Sequence, residues 1–210
     1  MTDWVAISSP ATAGGTLVLA VATFSAVRSS NRSARIAEQA LQEQRRPVLV
    51  HARLDDPVQK IMFVDGYWVR VEGSQAVIAE SDGNVYLAIA LRNVGSGLAV
   101  LQGWHPWADR QLTDVDHPAV EDFRRHTRDI YIAPGDIGLW QGALRDPGDE
   151  IHREIAAART ARRSLSVALL YSDQVGGQRT ISRFALTPAG EEKWLGSVGR
   201  HWNLDHAGPR

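Results

Sequence analysis

The sequence predicts a mainly β fold: an immunoglobulin-like β-sandwich with one or two inserted helices, preceded by an N-terminal transmembrane helix and a helical stalk. Three features predict it. Residues 4 to 27 carry no charge, and residues 28 to 46 keep apolar positions at helical spacing without Gly or Pro. From Pro47 onward the apolar period falls to two, in short runs parted by turn residues. Runs of that length and spacing indicate a sandwich rather than alternating β and α units. Three regions follow: 1–27, tail and span; 28–46, basic stalk; 47–210, soluble β domain.

The uncharged run from Trp4 to Val27 holds 24 residues. As a helix it would reach about 36 Å, against a hydrocarbon core of about 30 Å. Its first half is diluted by Ser8, Ser9, Pro10, Gly14 and Gly15, and Leu17 to Val27 is the dense part. A cleaved signal peptide would need a basic start, and only Asp3 is charged there. Arg28, Arg32 and Arg35 all follow the run and nothing basic precedes it. Basic flanks stay on the cytoplasmic side, so the expected location is the bacterial plasma membrane, N-terminus outside and domain inside. The small residues Ala11, Thr12, Gly15, Thr16 and Ala20 lie four apart, a spacing that lets two such helices approach and make a weak homo-oligomer.

The stalk places Ile36, Ala37, Ala40 and Leu41 at helical spacing and stops at Pro47. It carries five arginines against Glu38 and Glu43, a balance suited to anionic lipid headgroups.

The domain opens with a strand at Val48-Leu49-Val50. Lys60 to Val64 and Tyr67 to Val71 then flank Asp65-Gly66, a hairpin signal. Further strands are expected at about 76–80, 84–93, 98–105, 128–133, 136–142, 164–172, 179–187 and 193–200. In 84–93 the residues Val85, Leu87, Ile89 and Leu91 fill one face and Ala88 and Ala90 the other, which predicts a central strand. Gly176-Gly177 joins 164–172 to 179–187 as another hairpin. A short helix is expected near Pro118 to His126, with Pro118 in its first turn. A second is expected from Asp149 to Arg163, with acids at its start and arginines at its end, matching the helix dipole.

Composition narrows the function. The net charge is -1, so no global field draws the chain to nucleic acid. Lys60 and Lys193 are the only lysines, and the other 21 basic residues are arginine, a usage typical of GC-rich genomes. With no cysteine, disulfides, thiol catalysis and thiolate metal sites are excluded.

The glycine-rich string Arg92-Asn93-Val94-Gly95-Ser96-Gly97 precedes a strand rather than a helix, so it reads as a turn and not a phosphate loop. His105, His117 and His126 share a long connection with Asp114, Asp116, Glu121 and Asp122, but no pair has metal-ligand spacing. No nucleophile elbow is present. Catalytic residues, metal ligands and cofactors are therefore all assigned as none.

The seven tryptophans are an excess. Trp68, Trp140 and Trp194 lie on expected strands and read as core. Trp104, His105 and Trp107 leave a strand together and, with Arg124, Arg125 and Arg128, form the candidate interaction face.

The runs Val27-Arg28-Ser29-Ser30-Asn31-Arg32-Ser33-Ala34-Arg35, Gln44-Arg45-Arg46-Pro47, Arg92 to Ala99, Gly177 to Phe184 and Ser197 to Leu204 resemble a family of uncharacterised actinobacterial single-span membrane-anchored proteins. The resemblance implies the same anchor-plus-domain layout and brings no activity and no site residues. The expected function is a membrane-anchored, non-catalytic interaction or assembly module whose partners are the lipid bilayer and a membrane or cytoplasmic protein. The alternatives are a membrane-tethered enzyme and a ligand-sensing domain.

Overall fold

A computed structural model describes residues 4–109 and 116–205, with side chains from Leu19 onward apart from residues 39 and 42–44. The chain divides into two units, Met1–Gln44 and Arg45–Arg210.

The first unit is one helix, α1, Trp4–Gln44. Its described apolar side chains Leu19, Val21, Phe24 and Val27 are exposed, as are Arg28, Arg32 and Arg35. Thr23 Oγ1 donates to the Leu19 carbonyl at 2.8 Å, the back-bond by which a hydroxyl satisfies itself inside a helix. Among the described residues no helix is long and apolar enough to cross a membrane. The part of the expected span up to Val18, with the small residues Ala11, Thr12, Gly15 and Thr16, lies outside the described side chains.

The second unit is mainly β, as expected. Its strands are β1 Leu49–His51, β2 Gln59–Met62, β3 Trp68–Val71, β4 Gln75–Ser81, β5 Asn84–Asn93, β6 Ala99–Trp107, β7 Arg124–Ile132, β8 Ile137–Leu144, β9 Leu165–Ser172, β10 Thr180–Ala189 and β11 Lys193–Asn203. One helix, α2 Glu150–Thr160, lies between β8 and β9. The short helix expected at Pro118 to His126 is reduced to a single 3₁₀ turn, Val120–Asp122, and Arg124 to His126 already belong to β7. The ladder with β6, which pairs Gly103 with Arg125 and Trp104 with Arg124, captures this segment as strand.

Nine strands form one curled antiparallel sheet. β5 pairs with β8 along one edge; along the other it meets β4 and then β1, end to end. From β4 the path runs through β11, β10, β9 and β6 to β7. The turn 133–136 then leads from β7 back to β8, at the opposite end of that path. Ile132 of β7 packs directly over Gly138 of β8, where an added Cβ would meet Ile132 Cγ1 at 2.6 Å. The nine strands thus lie in one continuous hydrogen-bonded sheet.

Inside the curl, Leu87, Ile89 and Leu91 of β5 pack with Leu101 and Trp104 of β6, Trp140 of β8, Val167, Leu169 and Tyr171 of β9, and Phe184 of β10. α2 adds Ile155 and Ala158. The outer face of β5, Tyr86, Ala88 and Ala90, is covered by Ile61, Phe63, Val69 and Val71 of the β2–β3 hairpin. Both faces of β5 are thus buried, which is why its sequence is apolar without a break.

The hairpin turns through Asp65-Gly66 as expected. Gly66 takes φ +82 and donates to Phe63 O at 3.0 Å, and Phe63 N donates to Tyr67 O at 2.9 Å. Trp140 and Trp194 are core as expected. Trp68 is not: it is 59% exposed, paired with the exposed Met62 on the outer side of a hairpin that has only one neighbour to face.

The Gly95-Ser96-Gly97 turn is structural and works by close approach. A Cβ on Gly97 would sit 1.6 Å from the Arg45 carbonyl oxygen, and one on Gly95 2.3 Å from that of Arg46. Asn93, fully buried, locks this crossing. Its Oδ1 accepts from Val48 N and Gly95 N, and its Nδ2 donates to Gly97 O and Ile132 O.

Candidate functional site

Between Leu101 and Gly103, β6 has one residue, Gln102. Opposite, between Ile130 and Arg125, β7 has four, residues 126–129. Those extra residues form a wide bulge, a device that re-aims side chains at the edge of a ladder. It sets Arg125, His126, Thr127 and Arg128 along the rim of a cleft of about 200 Å³. The opposite walls come from Gln141, Gly142 and Ala143 of β8, from Arg145 just past its end, and from Phe63 and Val64 at the tip of the β2–β3 hairpin.

The floor is aromatic. Trp104 packs edge-on against Trp140, ring centroids 5.3 Å apart at 61°. Gly142 makes room for both rings: a Cβ there would meet Trp140 Cζ2 at 2.8 Å and Trp104 Cε2 at 3.0 Å. The Arg124 guanidinium lies over Trp104, 5.9 Å from the ring centroid, and pairs with Asp149. Asp149 also caps α2, accepting from Ile151 N at 3.0 Å, so one carboxylate ties the helix start to the cleft wall.

Arg145 closes the other side by pairing with Asp65 at 3.1 Å, and Tyr86 donates its hydroxyl to the same carboxylate at 2.8 Å. Burial works against the Asp65 charge, but the bonds from Tyr86 and Arg145 outweigh it and hold its carboxyl below the usual range. Burial, and then the bond to Asp65, pushes the Tyr86 phenol up.

Arg125 and Arg128 differ from these two. Both are exposed, and neither has an ion-pair partner among the described residues. Beside them the His126 Nε2 and the Gln141 Oε1 are buried and have no hydrogen-bond partner among the described residues. Burial, reinforced by the Arg128 charge, brings the His126 pKa down to about 4, so the ring is neutral at neutral pH. The cleft therefore offers excess positive charge beside an apolar floor, the arrangement that receives an anion.

The residues singled out from sequence separate into two groups. Trp104, Arg124, Arg125 and Arg128 line the cleft. His105 and Trp107 stand one and three positions along β6 from Trp104, so the strand's alternation turns them to the outer face. There they pack against each other at a tilt, centroids 4.6 Å apart at 59°, and His105 Nδ1 bonds the Asp122 carbonyl at 3.1 Å. Trp107 leans on the outer cluster of Phe123, Ala168, Leu170, Ile181 and Trp202. The Arg183 guanidinium lies 5.6 Å from the Trp107 ring and 4.6 Å from that of Trp202. Sequence reasoning misses Gln141 of β8 and Arg145 just past its end, because they are distant in sequence from β7 and only the folded sheet brings them to the cleft.

Elsewhere Tyr171, Ser182 and His201 form a hydrogen-bonded chain, with Tyr171 Oη to Ser182 Oγ at 2.8 Å and Ser182 Oγ to His201 Nδ1 at 2.6 Å. Ser182 is fully buried, and Tyr171 also accepts from Leu49 N. The chain ties β1, β9, β10 and β11 together inside the fold. Among the described residues no group of three His, Asp or Glu is placed to hold a metal ion; Asp114 lies outside them. No protein-family model, curated protein or solved structure matches this chain.

Proposed function

We propose that the chain is a membrane-anchored, non-catalytic binding module, with the arginine-lined cleft as its binding face. One observation carries this reading: Arg124, Arg125 and Arg128 of β7 and Arg145, just past the end of β8, line a single cleft over an aromatic floor, with two of the four guanidiniums lacking an acid partner among the described residues. A partner that presents an anionic group is complementary to that surface. The anchor rests on the uncharged run from Trp4 to Val27 and on the exposed apolar Leu19, Val21, Phe24 and Val27; Arg28, Arg32 and Arg35 on one side of the run favour a cytoplasmic β domain. The resemblance to anchored actinobacterial proteins agrees with this layout. As to the finer fold class, apolar layers on both faces of β5 favour an immunoglobulin-like sandwich, and the unbroken pairing path from β8 round to β7 favours a barrel-like curl.

Two experiments test the reading. The chain should stay with native membranes through alkaline washing, and a cysteine placed in the exposed Gly176-Gly177 loop should react with an impermeant thiol reagent only after lysis. Release by the wash would remove the anchor, and labelling of intact cells would reverse the orientation. Affinity capture from solubilised membranes should recover a partner with the wild-type chain and lose it with Arg125→Glu/Arg128→Glu. Equal recovery with both would move the binding face elsewhere.

A further inference from the structure

We infer that the cleft binds a phosphate monoester dianion borne on a small apolar or aromatic body, with Arg125 and Arg128 gripping the phosphate. This rests on the cleft being the binding face and names the chemistry it takes.

The charge balance selects the anion. Arg124 is matched by Asp149 and Arg145 by Asp65. Arg125 and Arg128 bring two further guanidiniums to the same cleft without an acid partner among the described residues. A phosphate monoester carries about −1.5 to −2 charges at neutral pH and three acceptor oxygens, so it balances both. A carboxylate carries one charge and leaves one guanidinium over. Planar guanidinium forks also fit phosphate oxygens two at a time.

The remaining lining supplies the rest of the site. The Thr127 hydroxyl stands beside the two arginines and adds a hydrogen-bonding group. Phe63, Val64 and Ile130 join Trp104 as an apolar wall. A cleft of about 200 Å³ holds a phosphate and one ring, and an acyl chain would overrun it. The bulge is the feature that makes this possible, because a regular β7 ladder would turn alternate residues of 125–128 to the opposite face.

The test is calorimetric titration of the full chain, held in neutral detergent at low salt, with phenyl phosphate, benzoate and inorganic sulfate. Phenyl phosphate should bind at least about tenfold more tightly than benzoate. Arg125→Gln and Arg128→Gln should each weaken it about tenfold or more, the loss expected for one charge-assisted contact. Arg70→Gln, an exposed arginine on β3 outside the cleft, should leave it unchanged. Circular dichroism on each variant secures the comparison. Benzoate binding as tightly as phenyl phosphate, or phenyl phosphate binding intact in the double variant, would overturn the assignment.

A second arm offers the same phosphate on a surface, as vesicles of neutral lipid containing phosphatidic acid. Binding of the soluble ester with no more competition from these vesicles than from neutral-lipid vesicles supports a free ligand; no binding of the soluble ester, with a preference for phosphatidic acid vesicles that Arg125→Gln and Arg128→Gln abolish, overturns it. If phenyl phosphate fails while partner capture still depends on Arg125 and Arg128, the phosphate chemistry falls and the binding face stands. If both fail, the face itself is wrong.

Discussion

The two sides of strand β6 make the same contact for opposite ends. On the inner side Arg124 lies over Trp104, and on the outer side Arg183 lies between Trp107 and Trp202. Arg183 is only 4% exposed, spends an N–H on the Asp116 carbonyl at 2.9 Å, and is sealed by the segment 116–123 and Trp202. Burial, and then the neighbouring Arg200, draws its pKa below the ordinary arginine value, the mark of a cation used as packing. The inner pair opens onto a cleft where further arginines keep their donors toward solvent. A tryptophan beside an arginine therefore says little about binding. What distinguishes the two sides is whether the surrounding donors are already used.

Removing Trp202 should have the largest effect. Trp202→Ala empties the outer cluster and should cost about 3–5 kcal/mol of stability, measured by urea unfolding, the usual range for losing a buried tryptophan. If the outer side is structural only, the residual folded protein keeps its affinity for phenyl phosphate. A loss of affinity at matched folded fraction would merge the two sides into one site.

His126 should come next. Its folded pKa of about 4 lies below its ordinary 6.5, so between those pH values the unfolded chain holds the extra proton. Stability from this group is complete above about pH 6.5 and falls as the pH drops toward 4, by at most about 3 kcal/mol. Urea midpoints at stepped pH should show this slope, and His126→Gln should flatten it. An unchanged slope in the variant would mean that the ring is solvated.

Gly142→Ala should cost about 1–3 kcal/mol, since the new methyl meets both rings of the Trp104–Trp140 pair. A neutral result by thermal melting would show a floor able to shift. Arg125→Gln and Arg128→Gln should change stability by less than about 0.5 kcal/mol, as exposed substitutions do. A larger fall in either would mark that arginine as packing, like Arg183.

Much of the architecture was legible from pattern. β5 announced itself through apolar residues on both faces, the Asp65-Gly66 turn through its residue pair, and α2 through Asp149 and the arginines at its far end. The start of β7 was not legible, because a bulge suspends the alternation by which a strand is recognised. Arg124-Arg125-His126-Thr127-Arg128 has no period at all, and Pro118 invited a helix in its place. The aromatic segment misled in a related way: Trp104 and Trp107 are close in sequence, yet strand geometry sends them to opposite sides. Arg145 and Gln141 owe their place to a sheet that curls, a property of the whole ladder that no local window contains.

The crossing at Gly95 and Gly97 bears on mechanics. Residues 45–48 are where any pull on the N-terminal helix enters the β domain, and they run hard against that turn. The force first meets the four hydrogen bonds of Asn93 and the three paired residues of β1, well before it reaches the long ladders of β9, β10 and β11. Asn93 is thus the first lock such a pull would test: under load its four bonds and the short β1 pairing would yield before the long ladders do.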